Sequence, residues 1–467
     1  MSRPLESPPT HPVLARADEL QRGLGDRFRD RMVHSLFDEA ERIARRATDA
    51  PDGARLDLDR RIDRLVTSPT LGLPLMVVVL ATVFWLTIVG ANYPSSMLAN
   101  LLFGLGDAGT ALFQSLGAPW WLTGFLWDGV YLGLAWVIAV MLPPMAIFFP
   151  MFTFLEDLGY LPRVAFNLDW MFRRSGAHGK QALTMAMGFG CNAAGVIATR
   201  VIDSPRERLI AILTNNFVPC NGRFPTLIVL GTLFVGSTVS PAAASFAAAG
   251  SVVGVVLLGV GFTLAVSWGL SRTVLQGEAS AFTLELPPWR RPRFLRIFYT
   301  SLIDRTLFVL WRAIIMAAPC GGIAWILGNV HLGDASIMAH LATALDPAGH
   351  LLGLDGVILL AYIIAIPANE IVVPTIIMAY MGVGRMTELD SLAELQTLLV
   401  DGHEWTLLTA TCVMLFSLLH NPCSTTILTM WKETRSTRWT TLGALLPLGI
   451  GIVVCFLVAQ TARILGG

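Results

Sequence analysis

Apolar residues run along this chain in unbroken blocks rather than alternating with polar ones. The blocks cover 71–93, 126–154, 207–235, 241–271, 306–329, 405–430 and 440–463. Each holds roughly 20 residues or more, enough for a helix to cross a ~30 Å hydrocarbon core. A backbone in lipid must satisfy its own hydrogen bonds, and the blocks lack the period-two pattern of strands, so they are predicted to be helices. Two further apolar segments are interrupted. Residues 180–200 carry Gly188, Gly190 and Gly195, and residues 355–382 carry Pro367 and Pro374. Ahead of them all, 1–14 is Pro-rich and is predicted to be a disordered tail. Residues 15–70 set Leu20, Leu24, Phe28, Met32 and Phe37 among many charges, the pattern of cytoplasmic amphipathic helices leading to the membrane.

Charge turns this pattern into a topology. Only 14% of residues are charged, against about a quarter in soluble domains. Lys and Arg mark cytoplasmic segments. Residues 1–70 hold 13 of the 33, and 272–305 hold six arginines. Arg173, Arg174 and Lys180 precede the first interrupted segment, and Arg200, Arg206 and Arg208 follow it. Both its ends are therefore expected on the cytoplasmic side, which makes 180–200 a re-entrant hairpin. Residues 330–354 hold no Lys or Arg and 383–404 only Arg385, so 355–382 is expected to be a hairpin dipping in from the opposite face. The fold class that follows is an all-α polytopic membrane protein of two inverted repeats with paired re-entrant hairpins. The repeats are 71–272 and 306–467, joined by a basic cytoplasmic loop at 273–305, with the N-terminus in the cytoplasm.

Interrupted helices at matching places in two halves point to a transport site near mid-membrane. The first hairpin reads Gly188-Phe189-Gly190-Cys191-Asn192, and the next span carries Pro219-Cys220-Asn221-Gly222-Arg223. The second hairpin reads Pro367-Ala368-Asn369-Glu370, and the span after it carries His420-Asn421-Pro422-Cys423. Glycine and proline free backbone carbonyls. Glu370 stands alone in an apolar run, where a carboxylate is costly and marks function by default. Thiol sulfur selects thiophilic or borderline metals over Mg²⁺ and Ca²⁺. The expected metal-site residues are Cys191, Asn192, Cys220, Glu370, His420 and Cys423. Cys320, Cys412 and Cys455 read instead as small apolar packing groups. All six cysteines fall in apolar segments, which argues against a disulfide framework. Lys180 and Lys432 are the only lysines and neither completes a Walker A motif, so the chain reads as a transporter and not as a GTPase, an ATPase or another enzyme.

The series Leu155-Glu156-Asp157-Leu158-Gly159-Tyr160, His178-Gly179-Lys180, Gly188-Phe189-Gly190-Cys191-Asn192, Pro219-Cys220, Pro367-Ala368-Asn369-Glu370 and Pro422-Cys423 resembles the membrane domain of the ferrous iron transport protein B family, over roughly residues 54–460. The hairpin plan also resembles the broader nucleoside-recognition gate fold. The resemblance implies Fe²⁺ uptake across a bacterial inner membrane, with Cys191, Cys220 and Cys423 near the ion path and Glu370 at the family's Pro-Ala-x-Glu position. Fe²⁺ is then cargo, with no permanently bound cofactor, and Mn²⁺, Zn²⁺ and Co²⁺ stay open. The family's usual N-terminal G domain has no counterpart here, so a separate GTPase or small accessory subunit is an expected partner besides the lipid bilayer. A homo-oligomer stays open, and no nucleic acid is expected. Two other functions remain: an H⁺- or Na⁺-coupled nucleoside or small-solute transporter, and a metal-sensing membrane subunit.

Overall fold

The computed structural model describes residues 26–47, 53–68, 70–276, 288–290, 292–387, 389 and 391–465. The expected tail, Leu20, Leu24 and part of the 273–305 loop lie outside them. Helix α1 (Asp26–Ala47) and most of α2 (Gly53–Val66) belong to a small unit of their own. The remainder, from Leu65 onward apart from residues 280–283, is one larger helical unit. Among the described residues, seven helices are long and apolar enough to cross a membrane, or eight if one bent pair counts as a span. The molecule is an all-α polytopic membrane protein, relieved among the described residues only by a two-residue antiparallel ribbon, His331–Leu332 with Ala335–Ser336.

The first spanning helix, α3 (Gly72–Ser115), is longer than its apolar block suggests. The sequence pattern ends it near 93, yet Pro94 lies inside the helix. At 1.5 Å per residue these 44 residues span about 66 Å, more than one ~30 Å crossing, so the helix runs on past its apolar block. Next, α4 (Trp120–Leu158) crosses α11, named below, where Gly133 meets Gly321 so closely that any Cβ would collide. Small residues allow such backbone approach between membrane helices. Helix α5 (Tyr160–Arg174) then leads to the first interrupted segment, α6 (Gln181–Gly190) and α7 (Asn192–Ala198).

Lys180, just before α6, donates to Asp203 at 2.8 Å and to the carbonyl of Val201 at 3.0 Å, both just after α7. A full crossing would part these residues by about 30 Å. The segment therefore turns back on itself. That hydrogen bond also holds the exposed Asp203 carboxyl below its ordinary range.

The chain continues through α8 (Pro205–Thr214), a break, α9 (Phe224–Leu230) and the long α10 (Pro241–Arg272). The second half opens with α11 (Phe308–Asn329) and α12 (Ile337–Leu351). A bend of 109° leads into α13 (Gly356–Ile364), and α14 (Val372–Met381) packs back against α13. Here too the ends meet: Asp355 before α13 accepts a hydrogen bond from Tyr380 at the end of α14. Helices α15 (Leu407–Leu419), α16 (Ser424–Thr434) and α17 (Thr437–Ile464) complete the chain.

Candidate functional site

Four interruptions in helices meet at one place. Between α6 and α7, Cys191 takes an extended backbone, φ −154° and ψ 123°. Between α8 and α9, Val218 and Cys220 are extended around Pro219. Between α13 and α14, Ala368 is extended at φ −152° and ψ 113°. Between α15 and α16, His420 and Cys423 are extended around Pro422. Each break releases the last carbonyls of one helix and the first amides of the next. Such backbone is tolerated at membrane depth only where protein or a cavity receives it.

The cavity here is small, 30 Å³, and draws its walls from all four breaks. Cys191 and Asn192 come from the first, Cys220 and Gly222 from the second, Pro367 to Glu370 from the third and Cys423 from the fourth. Met141 and Met145 of α4 add two thioethers. Five of the six residues expected from sequence therefore share one cavity. Among the described residues, no three His, Cys, Asp or Glu side chains are set to hold a metal ion. The walls carry donors without closing them into a fixed coordination shell.

Glycine is required at one point of this wall. A Cβ on Gly222 would collide with the carboxylate of Glu370, so only glycine lets that carboxylate rest against the 221–223 turn. Gly188 and Gly195 play a related part, since a Cβ on either would meet the Asn215 amide. Asn215 donates to the carbonyl of Asn192 at 3.0 Å and so ties the first break to the second. Asn192 itself lies 3.2 Å from the Asn216 side chain.

His420 stands behind the cavity, not on it. Its Nδ1 lies 3.1 Å from the carbonyl of Phe416 and 2.9 Å from that of Ser417. Carbonyls only accept, so Nδ1 carries the proton. Nε2 then accepts, and it lies 3.1 Å from Asn369 Oδ1. The two bond when the Asn369 amide turns its Nδ2 toward the ring.

Two residues of this region escaped the sequence reading as site members. Asn369 lines the cavity directly after the third break, as Asn192 does after the first; that shared position was the available signal. Arg223 is 1% exposed. Its Nη1 donates to the carbonyls of Asn216 and Leu418, both at 2.9 Å. Its Nη2 reaches Asn216 Oδ1 at 3.1 Å and the carbonyls of His420 and Asn421 at 3.4 Å. One guanidinium thus stitches the second break to the fourth, and only its planar fork could do so. The remaining cysteines sit elsewhere: Cys320 donates to the carbonyl of Ile364 at 2.7 Å, and Cys455 faces the carbonyl of Cys412.

Two halves, each with a broken hairpin and a span broken at Pro-Cys, joined around one cavity, define a gate-type membrane protein. Comparison with known proteins agrees. A family model described as "Nucleoside recognition" matches residues 138–234 and 310–437, which include all four breaks. A model described as "Ferrous iron transport protein B C terminus" matches residues 252–304. The Fe(2+) transporter FeoB of Staphylococcus aureus (strain MSSA476) is 25% identical over 426 residues, covering 89% of this chain and 60% of the relative. That of Leptospira biflexa is 26% identical over 462 residues, covering 94% of this chain and 64% of the relative. A Porphyromonas gingivalis protein named Fe(2+) transport protein A/Fe(2+) transporter FeoB fusion protein is 26% identical over 455 residues, covering 86% of this chain and 51% of the relative. The chain thus spans about half to two-thirds of the length of these curated relatives. It belongs to the ferrous iron transport protein B family and corresponds to its membrane-embedded part.

Proposed function

We propose that this chain is a permease for a divalent transition metal, with ferrous iron as the cargo and Cys191, Asn192, Cys220, Glu370 and Cys423 as the residues the ion meets. The observation that carries the reading is the convergence of three thiols and one carboxylate, from four separate breaks, on one cavity. Sulfur suits Fe²⁺ and its late neighbours, and the carboxylate supplies charge. An open donor set favours release, whereas a closed four-sulfur shell is typical of permanently held structural zinc. His420 is withdrawn from the ligand set and assigned to positioning Asn369.

The donor set argues against a nucleoside as cargo: three thiols and a carboxylate suit a thiophilic or borderline metal ion. The bacterial relatives favour an inner-membrane setting, and the arginine-rich segments favour an N-terminus inside. The fusion relative, which carries Fe(2+) transport protein A in its name, supports a small accessory subunit as partner.

The test is uptake by the purified chain in proteoliposomes under reducing conditions, comparing Fe²⁺, Mn²⁺ and Zn²⁺. Cys191→Ser and Glu370→Gln should each cut Fe²⁺ flux strongly. Equal flux in parent and variants would remove these residues from the path. Absence of any metal flux in the parent, with the protein correctly inserted, would count against permeation by this chain alone.

A further inference from the structure

Ion pairs join the two halves of the molecule at opposite faces. On the arginine-rich face, where the first hairpin begins and ends, Glu433 of α16 meets Arg200, just past α7, and Arg208 of α8. On the other, Asp128 near the start of α4 meets Arg385, just past α14. The two sets are unequal. Arg200 addresses both oxygens of Glu433, Nη2 at 2.5 Å and Nε at 3.0 and 3.1 Å, and Arg208 Nη2 adds a bond at 2.6 Å. Arg385 and Asp128 stand 3.7 Å apart, with both side chains partly open to solvent. An exposed pair of that kind contributes little.

The tight set closes a seam that starts at the thiol cavity. Helix α7 opens with Asn192 and α16 directly follows Cys423, both on the cavity wall. The two helices pack side by side. Glu433 is ten residues beyond Cys423, about 15 Å along the helix. Between them, Val196 of α7, Ile212 of α8 and Met430 of α16 form a buried apolar cluster of their own. Val196 stands one turn before Arg200, and Met430 one turn before Glu433. From cavity to surface the seam therefore presents a dry plug and then an ion pair. The Glu433 side chain is 5% exposed and that of Arg200 65%, so water reaches the arginine and not the carboxylate.

We propose that Val196, Ile212 and Met430, with Glu433, Arg200 and Arg208, form the gate through which an ion leaves the thiol cavity, held shut in this structure. A buried carboxylate stripped of its partners is costly, so the arginines can part from Glu433 only if water enters as they go. The seam thus has two arrangements, shut and dry or open and wet, as a switching element requires. Helices α7 and α8 belong to the first half and α16 to the second, so movement of one half against the other is what separates them. The loose Asp128–Arg385 pair leaves the opposite face far less firmly held. This inference rests on the reading of the chain as a cation permease, and it names the exit of that path.

The test needs no metal. Right-side-out and inside-out membrane vesicles holding the full chain are treated with a charged, membrane-impermeant methanethiosulfonate, and modification of Cys423 is followed by peptide mass spectrometry. In Glu433→Gln the rate should rise by about tenfold or more when the reagent is presented to the arginine-rich face, through a larger open population. It should stay at the parent value from the other face. Met430→Ala, which thins the plug and leaves the ion pairs in place, should do the same. Arg173→Gln, which removes an ion pair within α5 on the same face, should match the parent. Unchanged labelling in both Glu433→Gln and Met430→Ala, or an equal rise from both faces, would overturn the gate. One-sided acceleration in a protein that moves no metal in proteoliposomes would overturn the permease reading and leave the gate standing as the way into the cavity.

Discussion

Cys191 and Ala368 share one backbone conformation, φ −154°, ψ 123° and φ −152°, ψ 113°, at the tips of the two hairpins. Each is followed by an asparagine on the cavity wall, Asn192 and Asn369. The spans that follow break at Cys220 and Cys423, again with extended backbone. The two halves thus match in their breaks and asparagines but differ in side chains: Ala193 stands where the other hairpin has Glu370, and one tip presents sulfur where the other presents a methyl group.

That last difference can be tested by restoring the symmetry. Ala368→Cys places a fourth thiol on the cavity. Four thiols approach the ligand set of a structural zinc site. The variant is expected to retain Zn²⁺ through gel filtration, one ion per chain, and to lose Fe²⁺ flux. Metal analysis of the purified variant and uptake in vesicles check both halves of the statement.

Gly222→Ala probes the fit between the second and third breaks. The added methyl would displace the Glu370 carboxylate from the turn it rests on. Overpacking of this kind costs about 1–3 kcal/mol, so the variant should fold with a lowered Tm. Its Fe²⁺ flux should fall toward that of Glu370→Gln. Gly254→Ala, whose Cβ would meet nothing within 4 Å, is the control and should match the parent in both assays.

Arg223→Lys should be no milder than Arg223→Gln. The guanidinium satisfies four carbonyls and one side-chain oxygen across two breaks. An ammonium has three donors and cannot span them in one plane. Hydrogen bonds to charged groups contribute about 1.5–3 kcal/mol each, so either change should lower thermal stability markedly. Comparable losses for the two variants, read by thermal unfolding in detergent, would support stitching; full rescue by lysine would show that charge alone matters.

The hairpins and the cysteines were legible in the sequence because their signals are local. Gly188-Phe189-Gly190-Cys191 and Pro367-Ala368 break helices by their own conformational preferences, and flanking charge marks the ends. His420 was expected among the metal residues by its type, while its place behind the cavity depends on two carbonyls of its own helix and on Asn369, 51 residues away. Arg223 lay in view within Asn221-Gly222-Arg223, yet its partners include Leu418 and His420, nearly 200 residues on. No pattern at short range encodes such contacts. Helix α3 was cut short for a simpler reason: its apolar block ends near 93, while the helix itself continues to Ser115.

His420→Gln follows from the same geometry. The change should alter the orientation of Asn369 and lower flux for every metal alike. A ligand role would instead shift the ranking of Fe²⁺, Mn²⁺ and Zn²⁺, so the ratio of uptake rates distinguishes them.

The claim on which the rest depends is that a passing cation touches sulfur at this cavity. Saturating the reduced protein with Co²⁺ and recording its near-ultraviolet absorption reads that contact directly. The parent should show a thiolate-to-cobalt charge-transfer band that is lost in the Cys191→Ser/Cys220→Ser/Cys423→Ser variant. An identical spectrum in the two proteins would mean that the ion binds through oxygen or nitrogen elsewhere, contradicting the site.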